Sequence, residues 1–321
     1  LASMRESRFT LESRGPKVVG YRWEPAAQDR APRAAVLISH GMAEHAGRYR
    51  RFGEALAAEG YAVYAHDHRG HGETAGSLTA MGVLGEDGFA GMVDDMALLS
   101  GLIRRETADA PLFLFAHSMG TIVGQWFAQQ HGEALAGAIF SGAVAHPGRM
   151  LAPGLALARL EEALRPHKPS RMMTALTFGP YNAAFRPVRT PFDWLTRDEA
   201  EVRQFMEDPL CGVVLPAEFY ARMLEAIRTV YSEQAMRKTP RELPMLFVSG
   251  DRDPTGAFGR GIQRLAEQYR HAGVRSVDVK LYPEARHELL NELNREEVTR
   301  DLIAWMNARR NTIMNCVEME G

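Results

Sequence analysis

The sequence predicts an α/β protein: a mostly parallel central sheet with helices on both faces and a helical cap inserted late in the chain. Three observations predict it. From residue 34 onward, short apolar runs alternate with longer amphipathic stretches, which is the strand–helix rhythm of a parallel sheet. That rhythm stops near residue 147 and returns near 240, and the stretch between is too apolar for a disordered linker. One apolar run, Pro111–Phe115, is followed at once by Ala116-His117-Ser118-Met119-Gly120 and then by the helical pattern Thr121–Ala128. A serine on such a tight turn is lifted clear of the sheet and sits at a helix N-terminus, where free N–H groups meet negative charge.

The elements follow in order. Arg8–Glu12 and Val18–Trp23 alternate around Arg14-Gly15-Pro16 and read as a hairpin. A turn over 24–33 leads into Ala34–Ser39, an unbroken run suited to a strand buried on both faces. Arg51–Gly60 reads as a helix, Tyr61–Ala65 as the next strand, and Phe89–Arg104 as an amphipathic helix with Met92, Met96, Leu99 and Ile103 on one face. Leu135–Ser141 is the strand after the serine helix. Residues 147–239 read as short helices separated by prolines, with Thr196-Arg197-Asp198-Glu199 as a capping box opening one of them. The rhythm resumes with the strand Leu243–Ser249, the helix Arg260–His271, the strand Ser276–Tyr282 and the closing helix Glu297–Arg309. The expected division is a core of residues 1–146 and 240–310, a cap of 147–239 and a frayed tail of 311–321.

Chemistry concentrates after the strands. Ser118 is weak as a nucleophile until a base takes its proton. His287, directly after the last strand, is the candidate base. Asp251 or Asp253, after the preceding strand, can hold that imidazole in its tautomer. Gly41, directly after a central strand, lets the backbone fold close, so that the N–H groups of Met42 and Met119 point at one spot as an oxyanion hole. His117 and Gly120 support the serine turn, and His40 and His45 are read as loop-ordering residues. The stretch His66-Asp67-His68-Arg69-Gly70-His71-Gly72 invites a metal, but its two glycines mark a turn, so it is read as structural and no metal or cofactor is expected.

Composition narrows the class further. At 321 residues, 45% hydrophobic and 24% charged, the chain is an ordinary globular protein. A net charge near −2 gives no support for nucleic-acid binding. No apolar run approaches membrane-spanning length, so any contact with a lipid surface is expected to be transient. The two cysteines, Cys211 and Cys316, form no disulfide framework, and no signal-peptide pattern opens the chain; both point to a reducing, cytoplasmic compartment. Oligomeric state is not encoded in any motif.

The order Ser, Asp, His, each after its own strand, is that of the α/β-hydrolases. Several stretches together resemble the monoacylglycerol lipase and lysophospholipase branch of that superfamily, also grouped as serine-aminopeptidase-like hydrolases. They are His40–His45 with Arg48-Tyr49, Asp67–Gly72, His117–Gly120, Asp208–Cys211, Gly250–Pro254 and His287–Glu292. The resemblance spans nearly the whole chain. It implies an α/β-hydrolase fold, no cofactor, and a serine ester hydrolase acting on a small lipid-like ester. It implies Ser118 as nucleophile, Asp253 as acid, His287 as base and the Met42 and Met119 N–H groups as oxyanion donors. The one departure is Ala116, where the family usually has Gly. Same-triad amidase, aminopeptidase or acyltransferase activity is the alternative, with a catalytically dead binding protein as a third reading. Carboxylate-nucleophile chemistry is excluded by Ser118.

Overall fold

Strands β1 (Arg5–Leu11) and β2 (Val18–Glu24) form the expected antiparallel hairpin. They are followed by β3 (Ala34–Ser39), α1 (Arg50–Ala58), β4 (Tyr61–His66), α2 (Gly88–Glu106), β5 (Leu112–His117), α3 (Met119–His131) and β6 (Gly137–Ser141). Five helices lie next: α4 (Leu151–Leu164), α5 (Arg171–Ala183), α6 (Glu199–Glu207), α7 (Ala217–Val230) and α8 (Glu233–Met236). The chain closes with β7 (Met245–Gly250), α9 (Arg260–His271), β8 (Val277–Tyr282) and α10 (Arg295–Glu320). This computed structural model describes residues 4–27 and 31–320, with side chains to residue 312. The turn expected over 24–33 and the side chain of Cys316 thus lie partly or wholly outside the described residues.

Among the described residues, eight strands form one sheet in the order β1-β2-β4-β3-β5-β6-β7-β8. From β4 to β8 every pairing is parallel, and only the hairpin edge is antiparallel. The central strands are buried on both faces because alternate residues feed two different cores. Ala35 and Leu37 of β3 and Leu112 and Leu114 of β5 join α2, α3 and α9 on one side. Val36, Ile38, Phe113 and Phe115 join α1 and α10 on the other. Helices therefore cover both faces, as expected of an α/β-hydrolase. Each fully buried Phe or Ile in these layers contributes about 1.5–3 kcal/mol.

The inserted helices share the first of these cores. Leu155, Ala158, Met173, Phe219, Met223 and Ile227 belong to the same buried cluster as the α2–α3 side of the sheet. A second, small cluster forms from Trp194, Leu195, Phe205 and Cys211, flanked by Phe178, Tyr181, Phe185 and Phe192. No helix of the described residues is long and apolar enough to cross a membrane.

Three local expectations are corrected. The cap of α6 is Asp198, not Thr196: the Asp198 carboxylate accepts from Ala200 N at 3.0 Å. Thr196 is instead drawn to the core, its hydroxyl donating to Asn291 O at 2.9 Å. Pro180 lies inside α5 rather than between helices, and Pro153 occupies the first turn of α4, where its missing N–H is not needed. The tail is helical, not frayed: α10 runs on to Glu320, since Asn311–Glu320 contains neither Gly nor Pro to stop it.

Candidate active site

Sheet register brings three loops to one edge. Ser39 pairs with Ala116 and His117 pairs with Ser141, so the chain leaves β3, β5 and β6 side by side. Ser118 follows at φ 53°, ψ −123°, a conformation that L residues rarely adopt. It is held there by its own N–H donating to Ser141 O at 3.0 Å and by Thr121 N and Oγ1 donating to Ser118 O at 2.8 and 2.6 Å. Gly120 is obligatory, because a Cβ there would overlap the carbonyls of Ser39 and His40. Ala116 is accommodated by Gly124 on α3: a Cβ on Gly124 would lie 2.9 Å from the Ala116 Cβ.

Ser118 Oγ is 2.8 Å from His287 Nε2, and His287 Nδ1 is 2.9 Å from Asp253 Oδ2. Burial opposes the charged form of His287, but the charge and hydrogen bond of Asp253 outweigh it and raise the imidazole above its ordinary value. Burial likewise pushes the Asp253 carboxyl up, yet His287 and two bonds from Thr255 hold it below the usual range. Those bonds come from Thr255 N at 2.9 Å and Thr255 Oγ1 at 2.8 Å. In this geometry Nε2 can accept the serine proton while Asp253 holds Nδ1–H. Asp251 faces elsewhere, its carboxylate accepting from Glu284 N at 2.7 Å.

The backbone N–H groups of Met42 and Met119 take no partner among the described residues, and both residues line the cavity that Ser118 enters. The loop carrying Met42 is braced from below. Glu44 accepts from Gly41 N at 2.6 Å, from Tyr49 Oη at 2.7 Å and from Arg48 at 2.6 Å. Arg48 also forks onto both oxygens of Glu288, at 2.7 and 2.8 Å. Burial works against both carboxylates, but Arg48 overrides it and holds them low. The His117 ring is 4.7 Å from that of His287, and burial, helped by the His287 charge, lowers its value to about 4.

A profile described as serine aminopeptidase, S33, matches residues 30–294. The chain belongs to the serine aminopeptidase S33 family. It is 30% identical to the monoacylglycerol lipase of Mycolicibacterium smegmatis over 298 residues, spanning 91% of this chain and 93% of that one. Against the monoglyceride lipase of Mus musculus the identity is 27% over 289 residues, spanning 89% and 84%. A thermostable carboxyl esterase from Bacillus coagulans superposes with a TM-score of 0.87 at 26% identity, covering 96% of this chain and 100% of that one. With such relatives over nearly its whole length, this S33-family member is a carboxylic ester hydrolase.

In this hydrolase the cavity above Ser118 measures about 970 Å³, counting the space at its mouth. Its walls are mainly apolar and come largely from the insertion: Phe178, Phe205 and Met223 on α5, α6 and α7, and Phe192, Trp194 and Leu195 on the segment between α5 and α6. The insertion is tied to the core loops at several points. Glu288 N donates to Leu195 O at 2.7 Å, Gly212 N to Ala43 O at 2.8 Å, and Arg197 Nε to Glu292 Oε2 at 2.8 Å. His45 Nε2 lies 2.8 Å from Asp208 Oδ2, with Cys211 beside them, and burial pushes the Cys211 thiol up. These groups clamp the loop, in keeping with the loop-ordering role expected of His45. His40 does the same, Nε2 accepting from His68 N at 2.9 Å.

Sequence reasoning missed Thr255, Arg48, Glu288 and Glu292 as parts of the site. Arg48 and Glu288 are 240 positions apart and no local pattern links them.

Proposed function

We propose that this hydrolase cleaves monoesters bearing one medium-length acyl chain, monoacylglycerols among them, through an acyl-enzyme on Ser118. The observation that carries the reading is the hydrogen-bonded series Ser118–His287–Asp253 at the floor of an apolar cavity. Ser118 Oγ attacks the ester carbonyl as His287 takes its proton. The oxyanion sits on the N–H groups of Met42 and Met119. His287 then returns the proton to the leaving alcohol as the ester C–O bond breaks. Water, deprotonated by the same imidazole, releases the acid and restores Ser118.

Residues 147–239 act as the cap that walls the acyl chain, and each buried methylene adds about 0.8 kcal/mol of binding. Aminopeptidase action is the weaker reading on this geometry. The carboxylates lining the cavity, Glu44 and Glu288, are both taken up by Arg48, which leaves neither free for a substrate ammonium. The test is kcat/KM across p-nitrophenyl esters of two to sixteen carbons, monooctanoylglycerol, emulsified triolein and aminoacyl-p-nitroanilides. Medium-chain monoesters are expected to lead, without a sharp rise at the oil–water interface. Preference for triolein, or for the anilides over every ester, would overturn the proposal.

A further inference from the structure

The loop carrying His287 and the inserted segment meet at one buried carboxylate. Glu292, fully buried, lies between β8 and α10. Its Oε1 accepts from Arg286 N at 2.9 Å and Arg197 N at 3.1 Å. Its Oε2 accepts from Arg197 Nε at 2.8 Å and Leu293 N at 2.9 Å. Every one of these contacts is an N–H donor, so the position demands an acceptor-only carboxylate. An amide would turn its own N–H groups against two of them, whichever oxygen it replaced.

Arg286 leads directly into His287, and the backbone here is also gripped by the loop after β7. Ala285 O accepts from Arg252 N at 3.0 Å, and a Cβ on Gly250 would overlap Ala285 O and Arg286 O. The loop that carries Asp253 and the side chain of Glu292 therefore fix the same stretch of chain. From it His287 reaches Asp253 at 2.9 Å and Ser118 at 2.8 Å. Such reach tolerates little error: a misplacement of about 1 Å costs about a hundredfold in rate. Arg197, the other partner, belongs to the segment between α5 and α6. In that segment the Trp194 ring lies 4.9 Å from that of His287, and Leu195 O accepts from Glu288 N at 2.7 Å. We propose that Glu292 is a positioning residue: through Arg286 N it sets the backbone that aims His287, and through Arg197 it fastens the cavity wall over that imidazole. The inference rests on the Ser118–His287–Asp253 reading above and adds to it a group that touches neither substrate nor the reacting atoms.

The test measures kcat and KM for p-nitrophenyl acetate and p-nitrophenyl octanoate in wild type, Glu292→Gln, Glu292→Asp and Arg197→Met, each checked for folding by circular dichroism at the assay temperature. Glu292→Gln is expected to lower kcat about a hundredfold on both esters. Glu292→Asp, which keeps the carboxylate but withdraws it by one methylene, should lose less. Arg197→Met should raise KM for the octanoate severalfold and keep kcat on the acetate within about twofold. A folded Glu292→Gln with kcat within about threefold of wild type overturns the proposal, as does an Arg197→Met that loses as much kcat as Glu292→Gln. If Glu292→Gln does not fold, Glu292→Asp decides: unchanged kcat, or failure of both to fold, overturns the positioning role. Wild type inert to both esters, or Ser118→Ala as active as wild type, overturns the triad reading and this inference with it. Wild-type activity that depends on Ser118 leaves that reading standing whatever the Glu292 variants show.

Discussion

Without the Ser118 hydroxyl, His287 has no proton to accept. Ser118→Ala is therefore expected to lower kcat for p-nitrophenyl octanoate by about four to six orders of magnitude with an unchanged thermal melt. Asp253→Asn should cost about 10³–10⁴ in kcat, whereas Asp251→Asn, whose side chain accepts from Glu284 N and does not bond His287, should leave activity within a few fold. The reverse pattern would reassign the acid. pH dependence follows from the same pair. His287 must be neutral to act as base, and its value is raised, so kcat/KM should fall as pH drops through a midpoint above 6.5. In Asp253→Asn burial is left unopposed by that charge, and the acid limb should move to lower pH. Ser118 and His287 could be picked from the sequence because each follows a strand of its own, whereas strand order left Asp251 and Asp253 both open and only the family resemblance pointed to Asp253. Thr255 could not: its bond to Asp253 depends on how the loop after β7 folds.

The loop between β3 and α1 owes its shape to a buried ion cluster. Arg48 stands between Glu44 and Glu288, whose side chains are only 4% and 6% exposed. Arg48→Met leaves both carboxylates buried without their cation and is expected to destabilise the protein by about 3–5 kcal/mol, read as a lower urea midpoint. An unchanged midpoint would show the cluster to be solvated. At this level the strands were the most legible elements, since period-2 burial on two faces leaves a continuous apolar run. Helix ends were less so. Thr196 and Asp198 both look like caps, and only contact with the Leu289–Asn291 turn decides that Thr196 is used elsewhere. The path of 147–239 was not legible beyond its helical content, because its apolar residues are divided between a core, an aromatic cluster and the cavity wall.

Histidine burial gives the molecule as a whole a pH limit. Burial lowers His40, His66, His68, His71 and His117, with His66, His71 and His117 near 4. Both nitrogens of His66 and one each of His68 and His71 lack hydrogen-bond partners among the described residues. Unfolded chains take up these protons near pH 6.5, whereas in the folded chain His66, His71 and His117 resist until about 4. Each such histidine therefore removes about 1.4 kcal/mol of stability per pH unit across that window and nothing above it. His287, with its raised value, works in the opposite sense but is a single group. Total stabilities are only about 5–15 kcal/mol, so the urea midpoint should be flat from pH 9 to 7.5 and fall steeply below 6.5. A midpoint that holds steady down to pH 5 would contradict this.

Whether the cavity is a serine-hydrolase site is decided by its chemistry at one atom. Wild-type protein and Ser118→Ala are each treated with a fluorophosphonate probe, followed by intact-mass and peptide mass spectrometry. The expected result is one adduct per wild-type chain, on the peptide holding Ser118, formed in step with loss of esterase activity, and no adduct on the variant. Labelling of another residue, or full esterase activity in the labelled wild type, would contradict the account.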